Sequence, residues 1–169
     1  MTVRPIVSIP EAVLRRKAKK VTTFDKDLQT LIDDMIETMR VAPGVGLAAP
    51  QVDVSLRLIV VEYGDDEDED APKKLYTVIN PEIVSTSEEL TDGTEACLSI
   101  PRIMGDVERH EKIVVKGLNR FGKPVKYKLS GWMARIFQHE IDHLEGVLFT
   151  DRASRVWRVS SEEEVVDNV

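Results

Sequence analysis

The sequence predicts an α+β fold: mostly antiparallel β-sheets packed around a C-terminal helix that carries the motif HEIDH, with further helices at the N-terminus. Three observations carry the prediction. A helical period runs over Asp25 to Arg40, β-rich runs punctuated by turn residues fill the middle of the chain, and the period becomes helical again over Gly131 to Leu144.

Taken in order, Pro10 to Lys20 (PEAVLRRKAKK) reads as a short basic helix or turn, joined by Val21 to Phe24 to a clearer helix. Over Asp25 to Arg40, Leu28, Leu31, Ile32, Met35, Ile36 and Met39 recur at steps of three and four and so share one face. Pro43, Gly44, Gly46 and Pro50 then interrupt regular structure in APGVGLAAPQ. Leu56 to Tyr63 is a β-rich run, and Asp65 to Asp70 (DDEDED) reads as a solvated loop, because six adjacent carboxylates lack the spacing of a metal site. Strand signals return at Leu75 to Asn80, Ile83 to Thr86, Val107 to Glu108 and Lys112 to Leu129, the last folded at the turn Asn119 to Gly122. Gly131 to Leu144 (GWMARIFQHEIDHL) is helical, with Gly146 as its stop. Beyond Asp151 periodicity is lost, which predicts a domain over 1–152 and a short fraying extension over 153–169, acidic at its end.

The 169 residues suffice for one domain with its own core. With 23 Lys plus Arg against 30 Asp plus Glu, a net charge of −7 and a pI near 5.1, the chain shows no basic stripe, so no direct nucleic-acid binding is expected. Apolar runs are too short to span a bilayer, and no N-terminal stretch has the pattern of a secretion signal, so no membrane partner is expected and the reducing cytoplasm is the expected location. The single cysteine cannot form an internal disulfide.

The chemistry is concentrated in HEIDH. His139 and His143 stand four residues apart, so a helix presents both imidazoles on one face, where they can share a metal ion. At this chain's His and Glu frequencies such a motif is expected by chance on the order of 0.005 times. Glu140, beside the first histidine, has the position of a general base that is not itself a ligand. A catalytic site needs a third protein ligand. Phe149, at the spacing one protease class gives a histidine, has no donor atom. Glu162, Glu163 and Glu164 lie near the separation at which a second class uses a glutamate, but in an acidic tail. Cys97 remains; a thiolate with two neutral imidazoles leaves a net +1 on a divalent cation and suits iron or zinc. His110 lies among strand and charged residues and is read as a surface or structural residue.

GVGLAAPQ at Gly44 to Gln51, EACLS at Glu95 to Ser99 and QHEIDHLEG at Gln138 to Gly146 resemble the three signature motifs of the peptide deformylase family, in that family's order. The likeness extends over about Ile6 to Arg152 and includes the opening PEAVLRRKAKKV and the hairpin region GDVERHEKIVVKGLNRFGKPV. Two departures stand out: Ala96 where the family usually has glycine, and Arg102 after Ser-Ile-Pro.

The resemblance implies a metal-dependent hydrolase that removes the formyl group from the N-terminal methionine of nascent polypeptides and releases formate. It implies Fe2+ held by Cys97, His139 and His143, with Zn2+, Ni2+ or Co2+ as possible substitutes. Glu140 would be the proton carrier, and the Gln51 side chain with the Leu98 backbone N–H the donors to the formyl oxygen. Val45, Trp132 and Ile136 would line an apolar methionine pocket, and the backbone of Val45, Gly46 and Leu47 would bind the peptide as an extended strand. Glu95 and Arg109 would pair behind the cysteine strand. Some family members dock on the ribosome through a basic C-terminal helix; here Arg152, Arg155 and Arg158 are followed by SSEEEVVDNV, which implies transient ribosome proximity without strong docking. Two other readings remain open: a zinc endopeptidase using a tail glutamate, and a non-enzymatic relic whose site Ala96 has spoiled.

Overall fold

Helix α2 spans Gly131–Leu144, the interval its periodicity marks. A computed structural model describes residues 2–160 and surrounds this helix with two antiparallel sheets. The elements in order are α1 (Lys26–Val41), β1 (Gly46–Ala48), β2 (Leu58–Tyr63), β3 (Lys74–Thr86), β4 (Leu90–Cys97), β5 (Ile100–His110), β6 (Lys112–Leu118), β7 (Pro124–Ser130), α2, α3 (Phe149–Arg152) and β8 (Arg155–Arg158). The larger sheet has the order β1-β2-β3-β6-β7 and the smaller β4-β5-β8. Helix α2 packs on β1, β2, β6 and β7 of the first and on β5 of the second.

Local chemistry accounts for the boundaries. Asp25 caps α1, its carboxylate accepting the Leu28 N–H at 3.0 Å. The face formed by Leu28, Leu31, Ile32, Met35, Ile36 and Met39 is buried against Leu47, Leu58, Val60 and Ile79. At the other end of the chain Gly146 takes a positive φ of 73° just past α2, where an added Cβ would meet the Arg15 carbonyl oxygen at 2.5 Å. The second core joins Ile136, Phe137, Ile141 and Leu144 of α2 to Ile59, Val61, Ile113, Val115 and Leu129 of the large sheet. Each such side chain contributes about 1.5–3 kcal/mol by leaving water. Among the described residues no helix is long and apolar enough to cross a membrane.

Several elements differ from the sequence reading. Only Ala12–Arg15 of the basic N-terminal segment is helical, as one 3-10 turn. The glycine-rich loop contains the short strand β1 followed by a 3-10 turn over Ala49–Val52. The two strand signals at 75–80 and 83–86 are one strand with a register shift between Ile79 and Glu82, where Asn80 has a φ of 52°. Strand β4 was not visible: TDGTE is poor in β-forming residues, and pairing with β5 overrides that composition. The chain beyond Asp151 does not fray at once, because Arg155–Arg158 pairs with β5. Residues 161–169, with Glu162, Glu163 and Glu164, lie outside the described residues.

The Ala96 departure is accommodated. Ala96 lies in β4 opposite Met104 with no positive φ, 1% exposed, and its methyl group packs with Met104, Trp157 and Val159. The C-terminal strand extends the same sheet on the far side of β5. Arg102 follows the β4–β5 turn with a φ of 63° and an exposed side chain.

Candidate metal centre

Two elements bring the metal-ligating side chains together. Helix α2 presents His139 and His143 on one face, their ring centroids 5.1 Å apart, and β4 delivers Cys97 at its end, just before the two-residue turn Leu98-Ser99. Cys97 Sγ stands 3.4 Å from His143 Nε2. One donor atom from each of Cys97, His139 and His143 lies within 4.8 Å of the others, and all three residues are buried. Phe149 stacks on the His139 ring at 5.9 Å and closes one side.

The donors are set up for a cation. His139 Nδ1 lies 2.8 Å from Glu95 Oε1, which leaves Nε2 facing the triangle with no hydrogen-bond partner in a fully buried position. A buried polar nitrogen without a partner costs free energy, and a metal ion satisfies it. Burial pushes the Cys97 thiol well above its ordinary range and the Glu140 charge adds to this, while the N–H groups of Ser99 and Ile100 favour the thiolate. Burial pushes His143 the other way, well below its ordinary value, with the charges of His139 and Arg109 assisting, so the imidazole is neutral, the ligating form. A divalent cation within this set reverses the penalty on the thiolate.

Glu95 is 0% exposed and anchors the arrangement. Its Oε1 accepts from Arg109 Nη2 at 2.8 Å, and its Oε2 from Arg109 Nε at 2.9 Å and Arg135 Nη1 at 2.6 Å. Burial opposes its ionisation, but the hydrogen bonds from Arg109 and His139 outweigh burial and hold the carboxyl far below the usual range. Arg109 also reaches Asp142 at 2.7 Å, and Asp142 is held by Arg152. The Glu95–Arg109 pair inferred from the resemblance is therefore present as part of a larger network.

Glu140 is fully buried, and neither carboxylate oxygen has a hydrogen-bond partner. Burial raises its pKa well above the usual value, and the Glu95 charge raises it further. Its carboxylate fills the space beside Gly46, where a Cβ would lie 2.5 Å from Oε2 and 3.0 Å from Cγ and Cδ. Gln51 is also fully buried: its Oε1 accepts the Ala48 N–H at 3.0 Å, which orients the amide so that Nε2 lies 3.1 Å from Ser99 Oγ and 3.6 Å from Cys97 Sγ. Leu98, in the turn after Cys97, is half-buried.

The remaining predicted residues fall around this centre. β1 is an edge strand; Glu62 N–H bonds the Val45 carbonyl, so by strand alternation the polar groups of Gly46 face away from β2. Val45 and Trp132 are half-buried against the α2 core, whereas Ile136 is 0% exposed within that core and Leu47 is buried on the α1 side. His110 bonds the Ser87 carbonyl through Nδ1 at 2.8 Å and stands apart from the triangle, as a structural histidine.

Sequence reasoning missed Arg135, Asp142, Ser99 and Asp66. Arg135 lies one turn before His139 on a helix otherwise buried, and a buried guanidinium needs a carboxylate, which was the available signal. It also bonds the carbonyls of Thr91 and Val107, ties α2 to both β4 and β5, and crosses Gly93, where a Cβ would lie 2.7 Å from Cζ. Asp66 of the acidic loop accepts the Trp132 N–H at 3.0 Å and so caps α2 in place of Ser130, a long-range contact with no sequence signal.

Comparison with known proteins gives a consistent result. The model of the polypeptide deformylase family matches residues 3–159. A peptide deformylase of Symbiobacterium thermophilum is 52% identical over 97% of this chain and 73% of its own length, and peptide deformylase 1 of Bacillus subtilis is 45% identical over 99% and 98%. The crystal structure of the Thermotoga maritima peptide deformylase superposes with a TM-score of 0.85 at 44% identity, covering 92% of this chain and all of that one.

Proposed function

The chain belongs to the polypeptide deformylase family, and from that premise we propose which of its residues carry the reaction. The enzyme is a metal-dependent hydrolase that removes the formyl group from formyl-methionine at the start of nascent polypeptides and releases formate. Cys97, His139 and His143 hold one divalent cation, with Fe2+ as the resident ion and Zn2+, Ni2+ or Co2+ as substitutes. When bound, the cation polarises the formyl carbonyl and lowers the pKa of water.

The protein groups do the rest. Glu140 takes a proton from the attacking water, whose oxygen bonds to the formyl carbon, and hands that proton to the amine nitrogen as the carbon–nitrogen bond breaks. A buried, unpaired carboxylate with a raised pKa suits both halves of that cycle. Gln51 Nε2 and the Leu98 N–H donate to the oxygen on which negative charge develops. Glu95, locked by Arg109 and Arg135, orients His139. The peptide lies along the open edge of β1 and bonds the outward groups of Gly46, flanked by Val45 and Leu47; Val45 and Trp132 form the methionine pocket, with Ile136 behind them. All of these residues lie within the proposed catalytic unit, 1–152. The enzyme works in the cytoplasm, near the ribosome only transiently as far as its C-terminal end is concerned, since that end is acidic.

The buried triangle of one thiol and two imidazoles, with the unpaired Glu140 beside it, is the observation that supports this reading most directly. A Cys97→Ala variant tests it. Loss of both bound metal and formate release is expected; retention of both would move the reading to a zinc peptidase completed by a tail glutamate.

A further inference from the structure

The outer face of the β6–β7 hairpin is strongly basic in an acidic protein. Residues 112–130 contain Lys112, Lys116, Arg120, Lys123, Lys126 and Lys128 and no aspartate or glutamate, in a chain of net charge −7. Composition hides the feature and strand alternation creates it. Ile113, Val115 and Leu129 point inward to the α2 core, so Lys112, Lys116, Lys126 and Lys128 all point outward, and all four are exposed. Lys116 stands directly opposite Lys126, and Lys128 is the diagonal neighbour of both Lys112 and Lys116. Like charges directly opposite one another repel, so the Lys116–Lys126 pair favours an anion laid over it. Glu82, paired in register with Lys116, is the one carboxylate of β3 on this face, and among the described residues none of these lysines takes part in an ion pair.

Two further features surround the lysines. At one end a groove of about 450 Å3 places the hydroxyl-bearing Ser85, Ser87 and Ser130 beside Lys112 and Lys128. At the other, the hairpin tip carries Lys123 next to Phe121, which is 71% exposed. Cations and hydroxyls contact phosphates, and an exposed aromatic ring stacks on an unpaired base. We infer that the outer face of β6–β7 is an RNA-docking surface, which grips the phosphate backbone through Lys112, Lys116, Lys126 and Lys128. The choice of RNA as the polyanion rests on the deformylase reading, because a nascent chain emerges beside RNA. The face lies on the side of the sheet away from α2, so docking leaves the metal centre free.

The test measures fluorescence anisotropy of a labelled single-stranded RNA 12-mer with the intact metal-loaded enzyme at 50 and 200 mM KCl. Four phosphate contacts predict a log–log salt slope of about −3, hence roughly fifty-fold weaker binding at the higher salt. Replacing Lys112, Lys116, Lys126 and Lys128 together by Gln is expected to weaken binding at least tenfold and flatten that slope, with release of formate from a free formyl-methionyl tripeptide unchanged. A Lys19→Gln, Lys20→Gln control is expected to bind like the parent. Binding that survives the fourfold substitution, or that is lost in the control instead, overturns the proposal. So does preference for vesicles containing phosphatidylglycerol over RNA, which would assign the face to a membrane. Because RNA binding is read without turnover, it stands or falls separately from the catalytic assignment.

Discussion

Gly46→Ala separates the role of Glu140 from that of the metal ligands. A methyl group at position 46 would lie 2.5 Å from Glu140 Oε2 and 3.0 Å from Cγ and Cδ, where ordinary contact begins near 3.4 Å. One group must therefore yield by roughly 1 Å. β1 is held in register by β2, with Gly46 opposite Val61, and α2 is fixed by its core, so the carboxylate is the part that moves. A catalytic group misplaced by about 1 Å costs on the order of a hundredfold in rate, or about 2.7 kcal/mol of barrier. The assay is formate release at saturating peptide, alongside metal content per chain and thermal midpoint. The expectation is kcat reduced about a hundredfold with metal content unchanged, since the three atoms nearest the new methyl all belong to Glu140. A kcat within threefold of the parent would refute the steric argument, as would a variant structure with Glu140 unmoved.

Three other perturbations have defined outcomes. Arg109→Met leaves Glu95 and Asp142 short of a buried partner, so chemical denaturation should show about 3–5 kcal/mol of lost stability, and little loss would mean that the network contributes less than its geometry suggests. Glu95 and Asp34 both have folded-state values below their ordinary 4.5 and 3.8, Asp34 through the Thr2 N–H and Arg4; their stabilisation is therefore complete above those values and lost as pH falls below them. Unfolding free energy measured against pH should fall below about pH 4.5, and Glu95→Gln should remove up to about 1.4 kcal/mol per pH unit from that acid limb; an unchanged limb would contradict the assignment. Asp66→Ala uncaps α2, which should cost about 1 kcal/mol and shift the emission of Trp132, whereas an unaltered spectrum would show that the acidic loop does not hold the helix start.

Short-range patterns transmitted most of this fold through the sequence. The α1 face, the extent of α2, the Asn119 to Gly122 turn and the Gly146 stop each follow from a local rule, and the structure contains each of them. Strand β4 follows no such rule: its pairing with β5 is a long-range fact, and TDGTE alone favours a loop. The same division runs through the site. The spacing of His139 and His143 is visible within one helix, but Cys97 needed a process of elimination and a family likeness, because its proximity to His143 depends on the β4–β5 turn. Arg135 offered only its place one turn before His139 as a signal, and its partner Glu95, like Asp142's partner Arg109, lies on another element where no sequence period reaches. Ala96 stood out because the family usually has glycine there, and its place opposite Met104 in the β4–β5 pair was not foreseen. The basic face of β6–β7 was missed for a related reason: net charge averages over both sides of a sheet that alternates.

The central claim is that Glu140 works as a proton carrier beside a cation held by Cys97, His139 and His143. The most direct measurement is formate release from a short formyl-methionyl peptide, using protein purified without oxygen and supplied with ferrous iron, for the parent chain and Glu140→Ala. The account predicts turnover by the parent and a loss of about 10²–10⁴ in the variant, with one metal ion still bound per chain. Absence of turnover from a parent with its site filled, or a variant within a few-fold of it, would contradict the account.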